Sequence, residues 1–295
     1  MSNTLLVTGA AGQLGRNVIR HLIETYHVSP GSIIAATRSP EKLSDLATKG
    51  VVVRKADFDD AASLPSAFAG VDRLVIISTD ALDTPGKRLV QHKEAIEAAK
   101  RAGVKHILYT SMPSPDKSLV TFAPDHLGTE EAIKASGISY TILRDAWYMD
   151  NYLMGLPHSL LDGKWYTSAG AGRVPNISRN DCALAIAAAL ASDTTANAEY
   201  TLTGAHLLSM EDVAALVTEV TGRPLQVVHA NDEQLAGGMT AAGLPKFLVD
   251  MLVSADANIR AGNFETVTGD LKKLTGKEPQ TLKSFLEEHK GALTA

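Results

Sequence analysis

Residues 8–15 read Thr8-Gly9-Ala10-Ala11-Gly12-Gln13-Leu14-Gly15, with three glycines spaced G-x-x-G-x-x-G. Before them comes Thr4-Leu5-Leu6-Val7, a short apolar run that reads as a buried strand. After them, Val18, Ile19, Leu22 and Ile23 share one face of a helix predicted over residues 16–26. Strand, glycine-rich turn and helix, in that order, form the context a dinucleotide fingerprint requires. Gly9 permits the tight turn, and Gly12 lets backbone approach a pyrophosphate with no Cβ between them. Gly15 lets the helix lie close to the strand. The helix N-terminus adds N–H groups and partial positive charge for phosphates. The same glycines would also serve a turn that merely packs a helix, so the strand–turn–helix setting carries the reading.

Up to about Leu143, strand-like and helix-like segments keep alternating. Strands are predicted at 32–37, 51–53, 74–77, 107–109 and 140–143. Helices fall between them at 41–49, 61–69, 88–102 (ending at Gly103) and 125–136 (capped by Gly137). This order implies an α/β fold, a doubly wound parallel sheet of Rossmann type with ligands beyond the carboxyl ends of its strands. After Arg144 the rhythm breaks. Residues 146–160 are a mixed aromatic segment, and 177–192 hold an Ala-rich helix. Tyr200-Thr201-Leu202 returns to the sheet, 210–221 is a helix and 225–229 a short strand. Helical patterns continue over 235–259 and 271–289, with Gly237-Gly238 and Gly243 as either hinge or helix breaks. The expected division is a nucleotide domain over 1–145, with return segments near 174–204, and a smaller α+β C-terminal substrate lobe over 146–295.

The chain has 295 residues, 45% hydrophobic and 21% charged, which suits a soluble globular protein. A net charge of −5 argues against a nucleic-acid surface, and basic residues cluster no further than pairs such as Lys87-Arg88, Lys100-Arg101 and Lys272-Lys273. One cysteine, Cys182, excludes an internal disulfide and a cysteine-cluster metal site, so no metal is expected and Cys182 reads as packing. The first strand begins almost at Met1, and the longest apolar stretch, 183–191, is too short to span a bilayer. The expectation is a cytoplasmic protein, monomer or homodimer, with neither a membrane nor a nucleic-acid partner.

A dinucleotide site that prefers NAD usually places Asp or Glu at the end of the second strand. Here that strand ends Ala35-Ala36-Thr37-Arg38, and the first acid is Glu41. Arg38 can pair with a 2′-phosphate, which points to NADPH with NADH as the weaker cofactor. An ordinary surface arginine is the other reading. Asp57-Phe58, past the third strand, suits the adenine edge, and Asp57 equally suits the N-cap of the next helix. Ser78-Thr79 and Tyr109-Thr110-Ser111 close the fourth and fifth strands and are expected near the nicotinamide ribose, or else as loop caps.

One familiar piece of chemistry is missing. Short-chain dehydrogenases protonate the substrate oxygen with a Tyr held by a Lys four residues on. None of the seven tyrosines has Lys at that spacing. The corresponding helix offers His126 and Glu130 instead. Hydride delivery to a quinone, azo compound or cationic dye remains open, because a delocalised acceptor needs little general-acid help. His126 could polarise an acceptor oxygen or stack on a ring, or simply pair with Glu130 at i,i+4. Trp147-Tyr148 and Asn151-Tyr152 follow the sixth strand and suit a planar ligand, or a lobe core.

With T-G-A-A-G-Q-L-G, D-H-L-G-T-E-E at 125–131 and S-G-I-S-Y-T-I-L-R-D-A-W-Y-M-D-N-Y at 136–152, the chain resembles the NmrA-like atypical short-chain dehydrogenases, especially their quinone- and triphenylmethane-dye-reducing members. The resemblance implies a Rossmann domain plus a small C-terminal lobe, with NADPH facing an open pocket for a quinone or dye. Carried over by position, Thr8, Gly9, Gly12, Gln13, Leu14 and Gly15 would hold the pyrophosphate. Arg38 would meet the 2′-phosphate, Asp57 and Phe58 the adenine, and Ser78, Thr79 and Ser111 the nicotinamide side. Phe122, His126, Trp147, Tyr148 and Asn151 would shape the acceptor site, with His126 and Tyr148 as the catalytic candidates, orienting or polarising the acceptor. Members commonly read R-N-G-W-Y where this chain has Arg144-Asp145-Ala146-Trp147-Tyr148, a departure that bears on acceptor choice. The resemblance also leaves a second function class, a redox-sensing regulator that binds NADP(H) with little or no turnover.

Overall fold

The computed structural model describes residues 3–294. In chain order its elements are β1 (Leu5–Val7), α1 (Gln13–Glu24), β2 (Ile33–Thr37), α2 (Ser44–Thr48), β3 (Val52–Lys55), α3 (Leu64–Phe68), β4 (Arg73–Ile76) and α4 (Lys87–Ala102). Then come β5 (His106–Ser111), α5 (Ala123–Ala135), β6 (Ser139–Asp145), α6 (Tyr152–Asp162), β7 (Lys164–Thr167), α7 (Arg179–Ala191) and β8 (Ala198–Leu202). The chain closes with α8 (Met210–Thr221), β9 (Gln226–His229), α9 (Asp232–Ala241), α10 (Lys246–Arg260), α11 (Asp270–Thr275), α12 (Leu282–Glu288) and α13 (Lys290–Thr294).

The chain divides into two compact units. The first comprises Met1–Met112, Asp125–Arg144 and Asn180–Tyr200, and the second Pro113–Pro124, Asp145–Arg179 and Thr201–Ala295. The main sheet has seven strands in the order β3-β2-β1-β4-β5-β6-β8, and every pairing from β3 through to β6 is parallel. Strand order reverses between β1 and β4, the switch point beyond whose carboxyl ends doubly wound sheets bind ligands. Alternate residues Leu6, Ile34, Ala36, Leu74, Ile76, Ile107 and Tyr109 form one core with Phe68, Ala95, Ile96, Ala99 and Ile133 from the helices. The residues between them, including Leu5, Val7, Ile33, Ala35 and Val75, are buried as well. A strand buried on both faces reads as an unbroken apolar run, as these do.

Some boundaries differ from the sequence expectation. Residues 41–49 and 61–69 each begin as a 3₁₀ turn before a short α-helix, because Pro40 and the Asp60 cap favour a tight first turn. Asp60, not Asp57, caps the second of these by accepting from the Ala62 N–H. The pattern over 235–259 is two helices, α9 and α10; Gly237 and Gly238 lie inside α9, and the break comes at Gly243 with φ +85°. The stretch 271–289 likewise contains two helices, α11 and α12. The strand β7 was not apparent; it pairs in parallel with β9 in the second unit. That unit has its own core, built from Met149, Leu156, Val213, Val217, Phe285 and Leu286. Among the described residues no helix is long and apolar enough to cross a membrane.

Candidate cofactor and acceptor site

The first unit carries a cavity of about 270 Å³ at the switch point, lined by Thr8, Gly9, Ala11 and Gly12, by Ala36 to Arg38, Ala56 to Phe58, Ile77 to Asp80 and by Gln91. Its first wall is the turn between β1 and α1. The Thr8 hydroxyl donates to the Val75 carbonyl at 3.1 Å and accepts from the Ile77 N–H at 2.9 Å, locking the ends of β1 and β4 together. Gly9 has φ +58°, a conformation that glycine adopts at no steric cost. A Cβ on Gly15 would stand 2.5 Å from the Gly9 carbonyl oxygen, so Gly15 is the packing glycine. Gly12 is the N-cap of α1, with no capping side chain and no acidic residue in the first turn. The helix end therefore keeps its attraction for an anion. Gln13 and Leu14 open that helix without lining the cavity.

Arg38 follows β2 at the cavity wall, its side chain 60% exposed and loosely paired with the exposed Asp80 at 3.7 Å. The strand itself ends without an acidic residue, Glu41 being the first acid after it in the sequence. Arg16, by contrast, is held by Asp45 at 2.9 Å and by the Lys42 carbonyl. Asp57 turns back on its own loop, its carboxylate accepting from the Asp59 N–H at 3.0 Å. Phe58 packs its ring against the core while still lining the cavity. Ser78 and Thr79 line the cavity too. The Ser78 N–H donates to Thr110, and the Thr79 N–H donates to His92 Nε2 at 3.0 Å.

Ser111 and His126 take other places. The Ser111 hydroxyl donates to Glu130 at 2.6 Å, and Glu130 is 2% exposed and forked by Arg144 at 2.9 and 2.6 Å. Glu130 therefore joins β5, α5 and β6 and does not pair with His126. The His126 ring is buried and lies away from the cavity lining. Its Nε2 sits 3.2 Å from the Arg88 guanidinium and its Nδ1 2.8 Å from the Tyr109 hydroxyl. A guanidinium only donates, so Nε2 holds a lone pair and Nδ1–H donates to Tyr109. Burial, helped by the Arg88 charge, holds His126 well below the usual imidazole range. It is a neutral, enclosed group, where the sequence suggested one facing an acceptor.

The remaining acceptor candidates belong to the second unit. The Trp147 ring lies 5.9 Å from that of Phe264, centre to centre. The Tyr148 hydroxyl donates to Asp145 at 2.6 Å, while the Arg179 guanidinium covers the Tyr148 ring at 5.0 Å and donates to Asn151 at 3.0 Å. Asp145, the residue that departs from the usual family reading, is thus the partner of the Tyr148 proton. Phe122 lies in the same unit and is half-buried.

Residues 1–286 match the NmrA-like family. This chain is a member of the NmrA-like family. It is 37% identical over 278 residues to quinone oxidoreductase 2 of Escherichia coli (strain K12), covering 94% of this chain and 96% of that protein. It is 30% identical over 297 residues to the NAD(P)H azoreductase of Xenophilus azovorans, covering 99% of each. Among solved structures, Citrobacter sp. triphenylmethane reductase complexed with NADP(H) superposes with a TM-score of 0.90, at 36% identity over 96% of this chain and 99% of that one.

Sequence reasoning missed part of the site in this NmrA-like chain. Gln91 lines the cavity, His92 accepts from the lining residue Thr79, and Arg88 meets His126, all three on α4. A signal existed: Arg88, Gln91, His92, Ala95, Ile96 and Ala99 occupy one helical face, and its first half is polar where a core stripe should be apolar.

Proposed function

We propose that this chain is an NADPH-dependent oxidoreductase that transfers a hydride to a quinone or a similar conjugated acceptor, azo compounds and cationic dyes included. The observation that carries this reading is the cavity at the switch point, with the uncapped α1 N-terminus on one wall and Arg38 on another. The residues present fit the cofactor. A Cβ on Gly12 would stand 3.3 Å from the Gly9 carbonyl and intrude where a pyrophosphate must approach. Arg38 gives a 2′-phosphate a charged donor, and β2 itself ends without the Asp or Glu that would bind a ribose 2′-hydroxyl and repel that phosphate. When bound, NADPH supplies the hydride.

The chain's own residues do the rest. Thr8, Gly9 and Gly12 hold the pyrophosphate together with the helix start at Gln13 and Leu14, Gly15 letting α1 pack close beneath them, while Asp57 and Phe58 hold the adenine, and Ser78 and Thr79 the nicotinamide side. Ser111 supports that side through Glu130. Phe122, Trp147, Tyr148 and Asn151 meet the flat acceptor, with Tyr148 oriented by Asp145 and Arg179. His126 acts indirectly, by fixing Tyr109 and Arg88. None of these roles needs a general acid, in keeping with the missing Tyr–Lys pair. The curated relatives support the substrate class.

The test is NADPH oxidation followed at the nicotinamide absorbance band with 1,4-benzoquinone. Fast loss with NADPH, slower loss with NADH, and disappearance of that difference in Arg38→Ala are the expected results. Background rates across quinones, azo compounds and cationic dyes would overturn the reading. Tight NADPH binding without turnover would then favour a sensor.

A further inference from the structure

Thr79 lies just beyond β4 and lines the cavity, and both of its polar hydrogens are already engaged within the first unit. Its N–H donates to His92 Nε2 at 3.0 Å, and its hydroxyl donates to Gln91 Oε1 at 2.6 Å. A hydroxyl whose proton is held elsewhere offers a ligand only its lone pairs. The direction of that hydroxyl is set one step further back. Gln91 Nε2 donates to Asp59 Oδ1 at 2.8 Å, and an ionised carboxylate can only accept. The amide oxygen of Gln91 is therefore the end left facing Thr79. Asp59 is also paired with Lys87 at 3.1 Å, and Gln91 with Lys87 holds its carboxyl below the usual range. Gln91 itself is 6% exposed, so its amide has little water to turn towards.

We propose that Gln91, oriented by Asp59, is a positioning residue that makes Thr79 a hydrogen-bond acceptor only, so that this end of β4 selects a ligand group that donates. The inference rests on the NADPH reading above. The donor is then either a carboxamide N–H or a ribose hydroxyl, which share the chemistry that Thr79 requires.

Binding, not turnover, tests it. Dissociation constants for NADPH are measured by isothermal titration for the wild type, Thr79→Val, Gln91→Met and the double variant. Each single variant is expected to weaken binding about three- to tenfold, the worth of one hydrogen bond. Gln91→Met adds nothing on the Thr79→Val background, because it acts through that hydroxyl. Thr79→Ser keeps the hydroxyl and restores affinity. Asp59→Asn changes an exposed residue, so folding is preserved, and it frees Gln91 to present either end. Its smaller loss is also expected to vanish with Thr79→Val. Losses that multiply in the double variants would overturn the proposal. The 3-acetylpyridine analogue of NADPH, which lacks the carboxamide N–H, separates the two donors. A Thr79→Val penalty that disappears with the analogue assigns the carboxamide, and one that persists assigns the ribose. A wild type that binds no NADPH sinks the cofactor reading itself, an outcome distinct from additive losses in proteins that do bind.

Discussion

At the scale of single residues, two buried histidines owe their neutrality to specific atoms. The Thr79 N–H can only donate, so His92 Nε2 carries a lone pair and Nδ1–H points to Thr129 at 2.9 Å. Burial, with Arg88 nearby, brings His92 from 6.5 down to about 3, and acts in the same direction on His126. In the unfolded chain each imidazole takes up a proton as pH falls through the ordinary value, while the folded form refuses it. The unfolded state then binds more protons, so stability is complete above pH 6.5 and declines below it, towards the folded value of His92. Each group contributes a slope of about 1.4 kcal/mol per pH unit over that window. Urea denaturation at pH 7, 6 and 5 checks this. His92→Gln, which keeps an acceptor for Thr79 and a donor for Thr129, is expected to flatten the slope by about one proton. A slope unchanged in that variant would remove His92 from the account.

At the scale of elements, the turn from β1 to α1 separates packing from binding. Gly15→Ala places a methyl 2.5 Å from the Gly9 carbonyl oxygen and 2.8 Å from the Ala10 Cα, so backbone must move. Its expected cost is about 1–3 kcal/mol, the range for overpacking, read as a lower urea midpoint. Gly12→Ala meets its nearest atom at 3.3 Å and lines the cavity, so it should lose NADPH affinity out of proportion to stability. If Gly15→Ala unfolds like the wild type, the packing role is wrong. This turn was legible because its glycines, flanking strand and amphipathic helix all lie within twenty-five residues. The strand β7 was not: Lys164-Trp165-Tyr166-Thr167 is four residues long, and its only ladder is with β9, some sixty residues away. Short-range periodicity cannot see such a pairing. The same limit hid the support beneath the site. Arg38 and Thr79 lie at strand ends, which are predictable, whereas the partners of Ser111 and His126 depend on elements brought together only by the fold. Glu130 shows this most plainly: the sequence offered His126 as a neighbour, whereas its short hydrogen bonds come from Ser111 on β5 and Arg144 on β6.

At the scale of the molecule, the two units have separate cores, and the proposed cofactor contacts of the cavity lie entirely in the first. A ligand that binds only the folded form adds RT ln(1 + [L]/Kd) to stability, about 2.7 kcal/mol at a hundredfold excess over Kd. On the proposed reading the cavity tells apart two cofactors that differ by one phosphate, with Arg38 as the charged donor at the end of β2. NADPH is therefore expected to raise the thermal midpoint more than NADH at equal concentration, as followed by far-ultraviolet circular dichroism. The difference between them should close in Arg38→Ala, chiefly through a smaller NADPH shift. It should also narrow as salt rises, because Arg38 is 60% exposed and its pull on a phosphate is screened. This measurement needs no acceptor, so it holds the cofactor assignment apart from the identity of the substrate. Equal shifts in the wild type would mean that the 2′-phosphate is not read by this site. A gap that survived in Arg38→Ala would place its recognition elsewhere, with Arg16 on the first turn of α1 as the next cation to change.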